Sequence, residues 1–343
     1  MIKYLYTLAL MFGATVLPLK AAVDFHEADS LFANAEYGKA KEMLEALEPS
    51  SDMEKVEQLW RLSRVCLLLG EESKVTDQKR SHYAAGISFA ERGRTIDPGS
   101  VNCHMWHSAN VGRDCQTRDV MKQAAAVPVM MEDLTNILEK IGADDCSEAW
   151  QALGEIYFNH PFKSTDAAIN FARRALDCLP EGELRLSTYA FLAKMLLKRG
   201  RSAEGRKSEI KNGIPALRKE KTNIGKRTYY ASSLGADHVP AWAEKPLGEM
   251  SDKEEAGAII DYATDLYKKA AKHFPTDDKD YKELENYIRV VPRYAGSPEK
   301  LRFAHPSHRF AAGPSRSRGH GRPRFFRANP ASAWSGQLVY DFL

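Results

Sequence analysis

Apolar residues recur every three or four positions along nearly the whole chain, and no stretch alternates with the two-residue period of a strand. The pattern predicts helices throughout, and the helices repeat. One stretch sets the template. Trp150-x-x-Leu153-Gly154-x-x-Tyr157 places a large apolar residue, a leucine, a small residue and an aromatic along one helix. Ala168-x-x-x-Ala172-x-x-Ala175 then gives the next helix a small face, and Pro180 closes the unit. Small residues at such positions let two helix axes approach to about 8–10 Å.

Four further segments fit this frame. The first runs Ala28-x-x-Leu31-Phe32, then Glu36-Tyr37-x-x-Ala40, and ends at Pro49. The second opens on Leu59-Trp60-x-Leu62-Ser63 and turns at Gly70. An insertion of about 11 residues beyond the usual repeat length precedes its second helix, whose small face is Gly86, Ala90 and Gly93. The third begins at Val101, holds Trp106 and continues into a long helix over 119–141 that Pro128 should kink or start. The fifth opens on Tyr189-x-x-Leu192-Ala193-x-x-Leu196, turns at Gly200 and expects its second helix over 201–211. Units of this kind, each ending where the next begins, resemble tetratricopeptide (TPR) repeats, two antiparallel helices in about 34 residues. The expected fold is an all-α TPR superhelix of about five units over residues 23–215. Beyond it, the glycines and prolines of 222–250 read as an irregular connection. Ser251-x-x-Glu254 is a capping box opening a helix that stops at Pro275, and a short helix is expected over 278–290. Residues 216–296 are therefore assigned to a connection and capping helices that cover the last apolar face of the stack.

Charge changes the picture at the ends. The formal net charge of +3 conceals a tail, residues 297–343, with seven arginines and one lysine against Glu299 and Asp341. The remaining body is mildly acidic, which argues against nucleic acid as a partner. The tail is rich in Arg, Pro, Ser and Gly and reads as disordered, either a basic arm for an acidic surface or a frameshifted segment. At the other end, Lys3 precedes an apolar run over 5–19 and the small residues Ala21 and Ala22, the order of a secretory signal cut after residue 22. An uncleaved N-terminal anchor is the alternative. Export places the body in the periplasm or cell envelope if the source is bacterial. The five cysteines, Cys66, Cys103, Cys115, Cys146 and Cys178, lie in or beside helical segments and read as small apolar packing residues.

Three runs carry a more specific likeness: Trp60-Arg61-Leu62-Ser63-Arg64, Ala90-x-x-Gly93-x-x-Ile96-Asp97-Pro98, and Cys103-His104-Met105-Trp106-His107-Ser108-Ala109-Asn110-Val111-Gly112-Arg113. They resemble the regulator of microtubule dynamics family and its exported bacterial relatives. The likeness covers residues 25–215. It lacks the long apolar loop that such relatives often carry between repeats three and four. It implies a TPR-like fold and a binding role. Animal members are tied to microtubules, mitochondria and lipid, and an exported chain would not meet microtubules.

No nucleophile elbow, phosphate loop, dinucleotide fingerprint or His-Glu-x-x-His motif occurs, so the chain reads as a non-enzyme without cofactors. His104 and His107, flanked by Cys103 and Cys115, form the best metal candidate, but both fall where the first helix of a unit places packing residues. Asp144-Asp145 reads as a helix N-cap. Binding is expected on the concave face lined by first helices, at Phe32, Trp60, Arg64, Met105, Arg113, Glu155, Phe158 and Lys194. Its cations suit the carboxylates of a peptide or protein partner. A lipid in a closed groove, or a structural envelope role, are the alternatives.

Overall fold

The computed structural model describes residues 23–179 and 186–271. The leader, Pro180, the helix expected over 278–290 and the basic tail lie outside them. The described residues are all helical, without strands, and stack as helical hairpins in the manner of a repeat superhelix. None of the described helices is long and apolar enough to cross a membrane.

The first hairpin pairs α1 (His26–Ala33) with α2 (Tyr37–Ala46). The second pairs α3 (Asp52–Glu72) with α4 (Thr76–Ile96). Both are longer than the sequence frame allows. The expected insertion is no loop, because its residues extend the two helices and leave a turn of only three residues, Ser73, Lys74 and Val75. Gly70 does not turn the chain. It lies inside α3 with the Tyr83 ring against its Cα, where a Cβ would sit 2.3 Å from a ring carbon. The glycine signal came from close approach, not from a turn.

The third hairpin pairs α5 (Val101–Gln116) with α6 (Val120–Thr135), which continues as a π-helical turn, Asn136–Ile141. Pro128 sits within α6 on its exposed side, and the helix runs through it from Val120 to Thr135. The fourth hairpin, α7 (Ser147–Asn159) with α8 (Thr165–Asp177), follows the template closely. Trp150 is fully buried and stacks on Phe171 at 5.7 Å, while its indole N–H donates to the Asp144 carbonyl at 2.8 Å. A Cβ on Gly154 would stand 3.2 Å from the Ala168 carbonyl, so the small residues on both helices set their spacing.

The fifth unit departs from expectation. Helix α9 (Leu186–Arg199) packs closely on α13 (Asp252–Ala271) and not on α10 (Ala203–Leu217). Arg199 at the end of α9 binds Asp252 at the start of α13 at 2.6 Å, and Tyr189 near the start of α9 meets Tyr262 at 5.6 Å, so the pair is antiparallel. The segment between them is an excursion. Helix α10 packs on α12 (Tyr230–Leu234) and on a 3-10 turn, Leu247–Glu249, while α11 (Asn223–Thr228) folds back on α8. The Ser251–Glu254 capping box forms as expected, with Ser51 and Glu54 making a second one at α3.

A buried charge cluster holds this closure. Glu255 on α13 receives Arg173 from α8 at 2.6 Å and Arg206 from α10 at 2.7 Å. The sequence signal for α10 as a repeat helix failed because Arg206, fully buried, belongs to this cluster and not to an apolar seam. Burial pushes the Glu255 carboxyl up, but Arg173 and Arg206 outweigh it and hold it below its ordinary value.

Two outcomes follow. Gly154→Val should destabilise the protein by about 1–3 kcal/mol through overpacking, read as a lowered midpoint in urea. Glu255→Ala should cost about 3–5 kcal/mol, because two buried guanidinium groups lose their carboxylate. The Glu255 contribution is fully present above the unfolded value of 4.5 and is lost as pH falls through the lower folded value. The gap between wild type and Glu255→Ala should therefore narrow on acidification below that pH, and a gap that held constant would oppose the assignment.

Candidate functional site

First helices α1, α3, α5, α7 and α9 carry the eight residues expected to line the binding face. The structure gathers seven of them into two sets, and six of the eight are buried. In the first, Phe32, Trp60 and Arg64 join Phe25, Asp29 and Arg61 in an alternating ladder. The Arg61 guanidinium lies 4.4 Å from the Phe25 ring centre and 4.2 Å from that of Trp60. The Arg64 guanidinium lies 3.7 Å from Phe32 and 5.0 Å from Trp60. Asp29 accepts from both arginines, at 3.1 Å and 2.7 Å. Stacking of cations on ring faces and a shared carboxylate tie α1 to α3. Burial lowers Arg64 to about 10, partly offset by Asp29. Sequence reading missed Arg61, although its place beside Trp60 and three residues before Arg64 was visible.

The second set is Arg113, Glu155, Phe158 and Lys194. Arg113 pairs with Glu71 at 2.7 Å. Glu155 is buried, accepts from Gln151 at 3.0 Å and lies within electrostatic range of Arg113 and Lys194. Gln151 in turn accepts from Thr188 at 2.6 Å, which links α7 to α9. Phe158 meets Phe191 edge to face at 5.6 Å, with the Lys198 ammonium 4.4 Å and the Lys194 ammonium 5.8 Å from its ring centre. Burial pushes the Glu155 carboxyl up to about 7, against the pull of Gln151, Arg113 and Lys194. Burial also lowers Lys194, reinforced by Lys198. Met105 falls in neither set and packs in the main core.

Two donors on this face stand out. The Nε atoms of Arg64 and Arg113 are buried and have no hydrogen-bond acceptor among the described residues, although each guanidinium is paired through another nitrogen. Buried donors are nearly always satisfied, so such atoms ask for an explanation.

His104 and His107 are buried on α5 and share one carboxylate on α6. Asp133 faces His104 Nδ1 at 2.9 Å and His107 Nδ1 at 2.6 Å, and Arg94 donates to it from α4. His104 Nε2 lies 3.1 Å from the Pro98 carbonyl. Burial pushes Asp133 up, but the two histidine hydrogen bonds and the charges of His107 and Arg94 together hold it below its ordinary value. The pair thus cross-links three helices. Among the described residues no group of three or more His, Cys, Asp or Glu is arranged to hold a metal ion. Cys66, Cys103 and Cys115 are buried, and burial raises all three thiols.

Asp144 is not an N-cap. Cys146 occupies that position on α7, and the Asp144 carboxylate receives Arg174 and Arg227, each at 2.9 Å. A local pattern cannot register partners that far along the chain.

Residues 24–134 match the model of a family described as Regulator of microtubule dynamics protein 1-3. The chain resembles that family over α1 to nearly the end of α6, a stretch that includes the ladder, Arg113 and the Asp133 cluster but not Glu155, Phe158 or Lys194. No curated protein and no solved structure matches the chain.

The sign of the Glu155 effect can be tested. Its folded value of about 7 lies above the ordinary 4.5, so its contribution to stability is full below 4.5 and is lost as pH rises through 7. Wild type should lose on the order of 3 kcal/mol relative to Glu155→Gln between these limits. Parallel stability–pH curves for the two proteins would refute it.

Proposed function

We propose that the chain is an exported, non-catalytic scaffold of the TPR type that holds a peptide or protein partner along the face of its first helices. The carrying observation is the run of cations set against aromatic rings on first helices, from the Arg61–Arg64 ladder to Phe158 with Lys194 and Lys198. Cations beside aromatic rings suit the carboxylates and apolar side chains of an extended partner, and Phe158 with Lys194 and Lys198 supplies an apolar and cationic end to the same face. The match to the regulator of microtubule dynamics family agrees with a binding role and does not name the ligand. Glu155, at the centre, makes partner binding sensitive to pH near neutrality, since its ionisation sets a negative charge beside Arg113 and Lys194.

A photoreactive benzoylphenylalanine at Leu197, beside Lys194, should form a discrete protein adduct in cells, and one at the exposed Lys207 should form none. Equal yields at both positions would count against this face. Native mass spectrometry of protein purified without detergent tests the rest: a retained acyl-chain mass would replace the peptide with a lipid, and a polypeptide beginning at Val23 would mark a processed leader.

A further inference from the structure

A second surface lies away from the first-helix face. In a stack of hairpins, the turns from first to second helix line one edge. Arg80, just after the α3–α4 turn, donates to Thr117 in the α5–α6 turn at 3.0 Å, so these two turns are neighbours. The α7–α8 turn follows on the same edge, because Ile156 near the end of α7 packs with Ala126 and Met130 of α6.

Most of the exposed large apolar side chains among the described residues fall on this edge or continue from it. Val75 is 53% exposed in the α3–α4 turn, Val120 76% and Met121 80% at the start of α6, and Phe162 90% in the α7–α8 turn. The Phe162 turn is built, not collapsed: its backbone N–H donates to His160 Nδ1 at 3.2 Å, and Lys163 lies 4.9 Å from the Tyr157 ring centre. From the edge, the apolar surface runs along the outside of α6, which carries no charge between Lys122 and Glu132 and exposes Val129. Exposed lysines stand next to the tips: Lys74 beside Val75, Lys122 beside Met121 and Lys163 beside Phe162. The carboxylates Asp77 and Asp119 face Arg80 and Lys122.

We infer that this edge, together with the outer side of α6, docks on the interface of an anionic lipid bilayer. Apolar tips with lysines immediately beside them suit a surface that accepts hydrocarbon at one depth and an ammonium a few ångströms above it. A second copy docked here would set these lysines against one another. The face is separate from the one proposed for peptide binding, so either reading can fail alone.

The test is co-sedimentation of the full chain with vesicles of phosphatidylcholine and phosphatidylglycerol at about 7:3, a content that gives the negative surface this mode requires. Wild type should bind. Met121→Ser with Phe162→Ser should weaken partitioning at least tenfold while leaving the helical circular dichroism unchanged, and Lys122→Ala with Lys163→Ala should weaken it less and only on anionic vesicles. The apolar N-terminal run is common to all variants, so the difference reads this edge. Phe162→Trp should gain quenching by brominated lipid beyond that of wild type. Equal partitioning of the Met121/Phe162 variant, no added quenching in Phe162→Trp, or a wild-type dimer that the double variant dissolves would each overturn the assignment.

Discussion

Two helices lie close along their length only where one of them gives up side-chain volume, and that constraint organises this protein. Gly154 admits the Ala168 backbone, Gly70 admits the Tyr83 ring, and Ala168, Ala172 and Ala175 keep the facing side of α8 flat. With the axes this near, Trp150, Leu153 and Phe171 become fully buried and one hairpin holds together. A single hairpin still leaves an apolar face on each side, so the fold depends on stacking the next unit against it. The same closeness carries the fifth unit, where α13 replaces the helix that follows directly in sequence.

Charged groups enter these seams chiefly around carboxylates shared between helices. Asp133 binds two histidines and an arginine, Asp29 binds Arg61 and Arg64, and Glu255 pairs with Arg173 and Arg206. Each carboxylate sits on one element and collects partners from others, so each set fixes the relation between helices that apolar packing alone would leave free to slide. Removing one member leaves the rest charged in a dry place, which makes such sets costly to break and specific in register. Among the described residues, Glu155 has no such cation bound to it directly. Burial pushes its carboxyl up to about 7, and its neutral donor Gln151, with Arg113 already paired to Glu71, does not bring it back.

The residues expected on the binding face illustrate what a repeat frame can place and what it cannot. It located Phe32, Trp60, Arg64, Arg113, Glu155, Phe158 and Lys194 on first helices, and the structure brings them into two sets. It did not foresee that Arg64 would be sandwiched between Phe32 and Trp60 with Asp29 on its guanidinium, which ties much of its interaction surface to the fold. Arg64 and Arg113 each keep one buried Nε without an acceptor among the described residues, while the rest of each guanidinium is tied to a carboxylate.

From the sequence alone came the helical class, most hairpin boundaries, the capping box at Ser251, the small faces at Ala168 and Gly86, and the resemblance that the family match over 24–134 bears out. All of these are written in residues a few positions apart, because helix periodicity and close packing within a hairpin are local. Tertiary structure decided the rest: α13 as the partner of α9, the joining of His104 and His107 by Asp133, the two arginines on Asp144, the Arg–aromatic ladder, and the alignment of Phe162 with Met121 along one edge. These pair residues tens of positions apart, through helix orientations and turn lengths that no local pattern encodes. The insertion after Gly70 shows the boundary between the two. Its length was legible, but only the packing of α3 on α4 determined that it would lengthen helices instead of forming a loop, since a longer helix pair buries apolar side chains such as Tyr83 that a loop would expose.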